Sequence, residues 1–332
     1  MAAYVQILGK LNLLRRKGTA FLICALFSLV LVSSGNVFAI EPNILPAPEK
    51  ISDNVYAWIG PLEGPTKENN GYRMNLVFVI GKSAVAVIDT GYTPMMAREM
   101  ISHIRKITSL PIKYAVNANS QPHRYMGNDV FREAGAQIIA HQQSAKRMER
   151  MGSNFVTAIE NILKPPQGSV KIPKQPDLLI SDRHTLDLGE ITVELIHVGP
   201  AHTSAQLIAK VDSNKLIYAS DLLYAERLPA VLQDSNVGNW IAAYDNLKIY
   251  SGYTFVPGHG HPGPLSNFDF PTRSYLTLLF DHMTKMVEEG VDVQDAITGL
   301  DQSKYSKLAN FKELAGRNAS WAYLEREAAS FQ

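Results

Sequence analysis

Five short polar segments, each at the end of an apolar run, recur along this 332-residue chain. They are Asp89-Thr90-Gly91, Asn119–Arg124, His202, Asp221 and Pro257–His259. The runs Val55–Ile59, Asn75–Ile80, Ser83–Ile88, Ile112–Val116 and Ala136–Ala140 read as strands, and Pro94–Ile107 and Asn128–Ala134 as helices between them. A second half repeats the pattern: strands over His184–Leu188, Ile191–His197, Ala205–Val211, Lys215–Ala219 and Tyr253–Val256, and helices over Asn239–Tyr250 and from Thr272 onward, broken at Gly290. Strands alternating with helices make an α/β chain. Two strand-rich halves, each with outer helices, predict an αββα sandwich. In open α/β sheets ligands collect at strand ends, so the five segments are expected to meet.

Composition narrows the chemistry. Residues 1–39 carry Lys10, Arg15, Arg16 and Lys17 and no acid, then the apolar Ala20–Val32, then Val37-Phe38-Ala39. That is the pattern of a secretory signal peptide cleaved after Ala39, and its apolar stretch is shorter than the ~20 residues of a spanning helix. The expected product is one domain over 40–332 with a C-terminal helical extension, periplasmic or secreted, with no stable membrane span. Without the leader the chain has 28 basic and 31 acidic residues, which leaves no basic surplus for a nucleic-acid backbone. The only cysteine, Cys24, lies in the leader, so any metal site must use His, carboxylate or amide donors. No serine elbow, Gly-rich phosphate loop or cysteine nucleophile is present.

The residues Ala86–Gly91, Pro122 with Gly127-Asn128, Ala201-His202-Thr203, Asp221-Leu222-Leu223, Leu228-Pro229-Ala230 and Val256–Gly260 resemble the metallo-β-lactamase superfamily. The nearer resemblance is to its periplasmic SoxH-like branch, the quinoprotein relay system zinc metallohydrolases, and it extends to Arg317-Asn318 and Leu324-Glu325 near the C-terminus. The resemblance implies an αββα fold and zinc-dependent hydrolysis. Its metal loop is normally His-x-His-x-Asp-His, whereas the four slots here hold Asn119, Gln121, His123 and Arg124. By resemblance, the first zinc would need the first two slots and His202, and amides are poor zinc donors beside imidazole. The second would need the last two slots with Asp221 and His259, and Arg has no lone pair to give. At most one zinc per chain is therefore expected.

Two arrangements stand open. In one, His123, Asp221 and His259 hold a zinc, with His202 a further candidate ligand or the general base. Asn119 or Gln121 would then polarise a carbonyl, and the substrate would be an ester, thioester or lactam. In the other the site is metal-free. Arg124, which pairs with Asp221 or a substrate carboxylate, replaces the cation, neutralises Asp221 and holds the loops, and its cleft binds an anionic small molecule or a partner. Asp89 is read as bracing the loops, His261 as facing solvent at the rim, and Tyr224 and Arg227 as within reach of substrate. His141 and His184 are read as surface or strand-end residues, His197 as a strand-end residue bonding a loop carbonyl, and His103 and His282 as structural. The loops Gly60–Gly71 and Lys164–Asp177 are expected to shape the pocket.

Overall fold

The computed structural model describes residues 43–331; the expected leader 1–39 lies outside them. Seven strands form one sheet in sequence order: β1 (Glu49–Ser52), β2 (Val55–Trp58), β3 (Leu76–Ile80), β4 (Val85–Ile88), β5 (Ile112–Asn117), β6 (Gln137–His141) and β7 (Leu178–Ile180). Antiparallel pairing gives way to parallel pairing from β4 onward. The parallel steps need crossovers, and these are helices: α1 (Pro94–Ile107) between β4 and β5, α2 (Pro122–Tyr125) and α3 (Asn128–Glu133) between β5 and β6, and α4 (Gln142–Leu163) between β6 and β7. The second sheet holds β8 (Arg183–Asp187), β9 (Thr192–His197), β10 (Leu207–Val211), β11 (Leu216–Tyr224) and β12 (Thr254–His259), in the order β12-β11-β10-β9-β8. Its outer helices are α5 (Val237–Asn246), α6 (Tyr275–Glu288), α7 (Val293–Thr298) and α8 (Phe311–Ser330).

The period of two along each strand builds the layers. On β3, Val77 and Val79 join the core between the sheets, while Leu76 and Phe78 join the core under α1. On β4, Ala86 and Ile88 face inward and Val85 and Val87 outward. On β11, Leu216 and Tyr218 lie between the sheets, and Ile217 and Ala219 pack toward Trp240 of α5 and Leu279 of α6. The result is helices, sheet, sheet, helices, the αββα sandwich expected from the sequence. No helix among the described residues is long and apolar enough to cross a membrane.

Four elements were not anticipated: the edge strands β1 and β7, the single turn α2 and the 22-residue α4. Helix α4 buries Ala145, Met148, Gly152, Ile159 and Leu163 at helical spacing, and its Arg147 reaches the Ser120 carbonyl at 3.2 Å. It thus braces the loop after β5.

Candidate metal and substrate site

The five segments meet where the two sheets face each other, around the carboxylate of Asp221. Strand β11 delivers it through a distortion. Its pairing with β12 slips on either side of Ser220, which has a left-handed φ of 49°. Such irregularities re-aim a side chain next to a functional site. Gly258 of β12 lies so close that a Cβ there would sit 2.5 Å from Asp221 Oδ1 and 2.8 Å from Arg124 Nη2.

Helix α2 is a single turn begun by Pro122, which suits the first helical position. Asn119 shapes its approach: its Oδ1 accepts from the Gln121 N–H at 2.9 Å, and its Nδ2 donates to Asp221 Oδ2 at 2.8 Å and to Gln206 Oε1 at 3.2 Å. Both ends of the amide are engaged, so Asn119 holds the loop and is not turned toward a substrate carbonyl. Gln121 does line the cavity.

Arg124 is fully buried and does not line the cavity. Its guanidinium forms a fork onto Asp221, Nε to Oδ2 at 2.9 Å and Nη2 to Oδ1 at 2.5 Å. Nη1 donates to the Asn75 carbonyl at 2.8 Å, to the Tyr218 hydroxyl at 2.7 Å and to Asp89 Oδ2 at 3.1 Å. Nη2 also reaches the Gly258 carbonyl at 3.3 Å. Of the two partners expected for Arg124, Asp221 and a substrate carboxylate, the structure gives it Asp221: no donor of this side chain faces the cleft.

Asp89, left-handed at φ 68°, accepts from the Ala118 N–H at 2.8 Å and the Tyr218 hydroxyl at 2.6 Å and braces two loops. Burial raises its pKa to about 6, against the pull of Arg124. Burial also pushes Asp221 upward, but the Arg124 fork and the nearby histidines hold it well below the usual carboxylate range. One contact at Asp89 against two at Asp221 accounts for the difference.

Three imidazoles close round the same carboxylate. Nε2 of His259 lies 3.2 Å from Asp221 Oδ1, and Nε2 of His123 and His202 lie 3.5 and 4.0 Å from Oδ2. One ligand atom each from His123, Asp221 and His259 can be chosen within 4.8 Å of one another. His202 Nδ1 lies 2.9 Å from the Ala230 carbonyl and His259 Nδ1 2.7 Å from the Arg73 carbonyl. A carbonyl only accepts, so the Ala230 contact puts the proton of His202 on Nδ1 and bares its Nε2. Both nitrogens of His259 face acceptors, the Arg73 carbonyl at Nδ1 and Asp221 at Nε2. A cation on the Asp221 side selects the Nδ1 tautomer, the form in which a histidine ligates a metal. Nε2 of His123 is buried with no hydrogen-bond partner. Burial, the first cause in each case, lowers the pKa of His202 to about 4 and that of His259 to about 3, and lowers His123 well below the usual imidazole range. All three are neutral at pH 7. Neutral imidazoles with free lone pairs and an orphaned buried nitrogen fit one divalent cation. Asn119 and Arg124, in two of the four motif slots, are committed to Asp221.

Above this centre lies a cavity of about 490 Å³ lined by His123, His202, His259, Gln121, Tyr224 and two arginines, Arg73 and Arg227, among others. The Tyr224 ring stacks on His259, centroids 5.0 Å apart. Glu63 and Gly64 of the 60–71 loop contribute to its wall, as do Glu313 and Arg317 of α8; no residue of the 164–177 loop does. His261 is exposed and pairs with Glu226 at 2.8 Å, away from the centre. His141, expected at the surface, is buried, and its ring stacks on that of His197 at 3.9 Å, outside this cluster. Arg73, Asn75, Gln206 and Tyr218 also escaped the sequence reading. The only hint was position: Arg73 and Asn75 follow the 60–71 loop, and Tyr218 falls on the inward face of a strand.

Residues 71–259, more than half of the chain, match a family model described as the metallo-beta-lactamase superfamily. Among solved structures, a metallo-beta-lactamase from Pontibacter korlensis superposes with a TM-score of 0.56 at 19% identity, over 69% of this chain and 98% of that one. The DIM-1 metallo-beta-lactamase gives 0.54 at 16% identity, over 70% and 98%. TMB-1 gives 0.54 at 16% identity, over 69% and 96%. At these identities the likeness is one of fold.

Proposed function

Because the chain belongs to the metallo-beta-lactamase superfamily, we propose that it is a hydrolase-like protein whose centre takes a single divalent cation, zinc by family habit, on His123, Asp221 and His259. The observation that carries this reading is the convergence of three imidazole Nε2 atoms on Asp221, two on rings whose Nδ1 meets a carbonyl and one, of His123, buried without a partner. Zinc in such a place supplies a Lewis acid that makes water nucleophilic near neutral pH. The chain's own groups do the rest. His202, neutral and anchored by Ala230, is the proton acceptor nearest Asp221 that the ligand set leaves over. Gln121, on the cavity wall, is placed to donate to a developing oxyanion. Tyr224 and its stacked partner His259 form a flat apolar wall for an acyl group, so the reaction class is hydrolysis of an ester, thioester or lactam.

The motif residues named above further support membership of the periplasmic SoxH-like branch, with residues 1–39 directing export. The fork on Asp221 sets the strength of cation binding. The Arg124 guanidinium on the same carboxylate would oppose a cation held there, although Asp89 screens part of this. Zinc is expected to bind more weakly than at a site with an unshared carboxylate.

A cation-free reading, in which the chain binds an anionic ligand without turnover, draws on one contact. Arg73 Nη2 lies 3.3 Å from His123 Nδ1 and, as a donor, favours the tautomer with the proton on Nε2. Elemental analysis of protein purified without chelator and then exposed to zinc decides between them. About one zinc per chain, lost in His123→Ala, is expected; no zinc before or after exposure would leave the cation-free reading.

A further inference from the structure

Two arginines point into the cavity with no counter-charge. Arg227 is only 3% exposed, and its Nε is buried without a hydrogen-bond partner. Its Nη1 lies 3.2 Å from His259 Nδ1. That nitrogen is also 2.7 Å from the Arg73 carbonyl, and in the ligating tautomer its proton points there and leaves no lone pair for Arg227. The side chain is therefore without a true acceptor. Its backbone is fixed: Glu226 before it is left-handed at φ 63°, and Leu228 N–H after it donates to the Ala309 carbonyl at 3.0 Å.

Arg73 shows the same imbalance. Its Nε is buried without a partner, and its Nη2 touches only His123 Nδ1, a neutral ring. Among the described residues neither arginine forms an ion pair: the acids on the cavity wall, Glu63 and Glu313, are exposed and paired to neither. Asp221 and Asp89, the buried acids nearby, are taken by Arg124. The exposed Arg317 adds a third positive charge to the wall.

Burying a charge without a partner is costly. Two such charges facing one cavity repel each other as well. A fold keeps such a pair where a ligand completes it. We infer that the Arg73–Arg227 pair is an oxyanion subsite, so that the substrate of this centre is a small anionic molecule whose carboxylate or phosphate seats between the two guanidiniums. This deepens the hydrolase reading, since the subsite adjoins the same three histidines, and it moves anion recognition from Arg124 to two other side chains. The cavity is of the size that holds one small molecule.

Calorimetric titration of chelator-treated protein with succinate and, separately, with inorganic phosphate tests it. The two arms separate a carboxylate site from a phosphate site. At least one anion is expected to bind with a Kd on the order of 1 mM or tighter. Arg227→Gln and Arg73→Gln should each weaken that binding about tenfold or more, as loss of a charge-assisted pair does. Arg317→Gln, at an exposed position, should change it little. The melting temperature supplies a second readout: Arg227→Gln should melt no lower than the parent, because it removes an uncompensated buried charge. If Arg227→Gln does not fold, Arg227→Lys, which keeps charge but loses the fork, should show the same weakening.

Failure of both anions to bind the parent, or binding undiminished in both glutamine variants, overturns the inference. Binding that appears only with zinc and ignores both arginines overturns it too. Anion binding lost while zinc uptake stands sinks this inference alone; zinc uptake absent while anions still bind sinks the cation reading alone.

Discussion

Arg124→Met should lower the stability of this protein by about 3–5 kcal/mol, the usual cost of breaking a buried ion pair from one side. On a chain of this size that is a fall in melting temperature of about 10 °C. Methionine nearly conserves volume, so the loss is electrostatic. It strands Asp221 and Asp89, both fully buried, and leaves the Asn75 and Gly258 carbonyls short of a donor. Arg124→Lys should recover only part, because an ammonium cannot form the fork on Asp221. Arg124→His restores the residue type of the family's fourth slot. It should still be destabilised and gain no zinc over the parent, because a shorter side chain cannot reach Asn75, Tyr218 and Asp221 together. Asp89→Asn in the Arg124→Met background should return part of the loss, since it removes one stranded charge; a double-mutant cycle measures that coupling. An unchanged melting temperature in Arg124→Met would show that the fork is not a structural device, and the account of Asp221 as a half-committed ligand would go with it.

What could be read in the sequence divides along physical lines. The alternation in Leu76–Ile80 and Val85–Ile88 follows from pleating, which acts between neighbours, so strands and layers were legible. Residue chemistry was also legible: an arginine cannot ligate, so Arg124 in a ligand slot had to mean a changed centre. The pairing of Arg124 with Asp221 was one of the readings, but the rest of its contacts were not. Its partners Asn75, Asp89, Tyr218, Asp221 and Gly258 lie 35 to 134 residues away in sequence, and only the facing of two sheets brings them together. Arg73 was invisible for a related reason. It is a lone charge among loop residues, and its meaning comes from the carbonyl it lends to His259 and the acid it lacks. Helix α4 was legible and missed: its buried Ala145, Met148, Ile159 and Leu163 keep helical spacing, but Lys146, Arg147, Glu149 and Arg150 dilute the stripe. The leader lies outside the described residues, and the readings of Asn119 as a substrate donor and Arg124 as a ligand anchor gave way to bonds that only the folded chain displays.

Metal-free protein should lose stability steeply as pH falls from about 6.5 to 4. In the fold His202 titrates near 4, His259 near 3 and His123 well below its ordinary range, because burial disfavours the charged ring. Unfolded, each titrates near 6.5. Below that pH the unfolded chain binds protons that the fold refuses, so each ring contributes a loss of about 1.4 kcal/mol per pH unit until its folded pKa is reached. His141, lowered to about 4 beside His197, acts in the same direction. Asp89 acts in the other. With its pKa raised to about 6, the fold takes its proton first and gains stability as pH drops from about 6 to 4. One carboxyl cannot offset several imidazoles, so the net slope is a loss. Below about pH 4 Asp221, held low by Arg124, adds to it, because the unfolded carboxylate is then the better base. Urea midpoints between pH 7 and 4.5 read this slope. Asp89→Asn should make it steeper, having removed the opposing term, and a hydrophobic variant of an exposed residue should not. Zinc should hold the midpoint up near pH 7 and lose that effect toward pH 5, as protons compete for the same Nε2 atoms. A midpoint flat across this range would mean that the three rings are already charged in the fold, and neutral imidazoles are what the cation site requires.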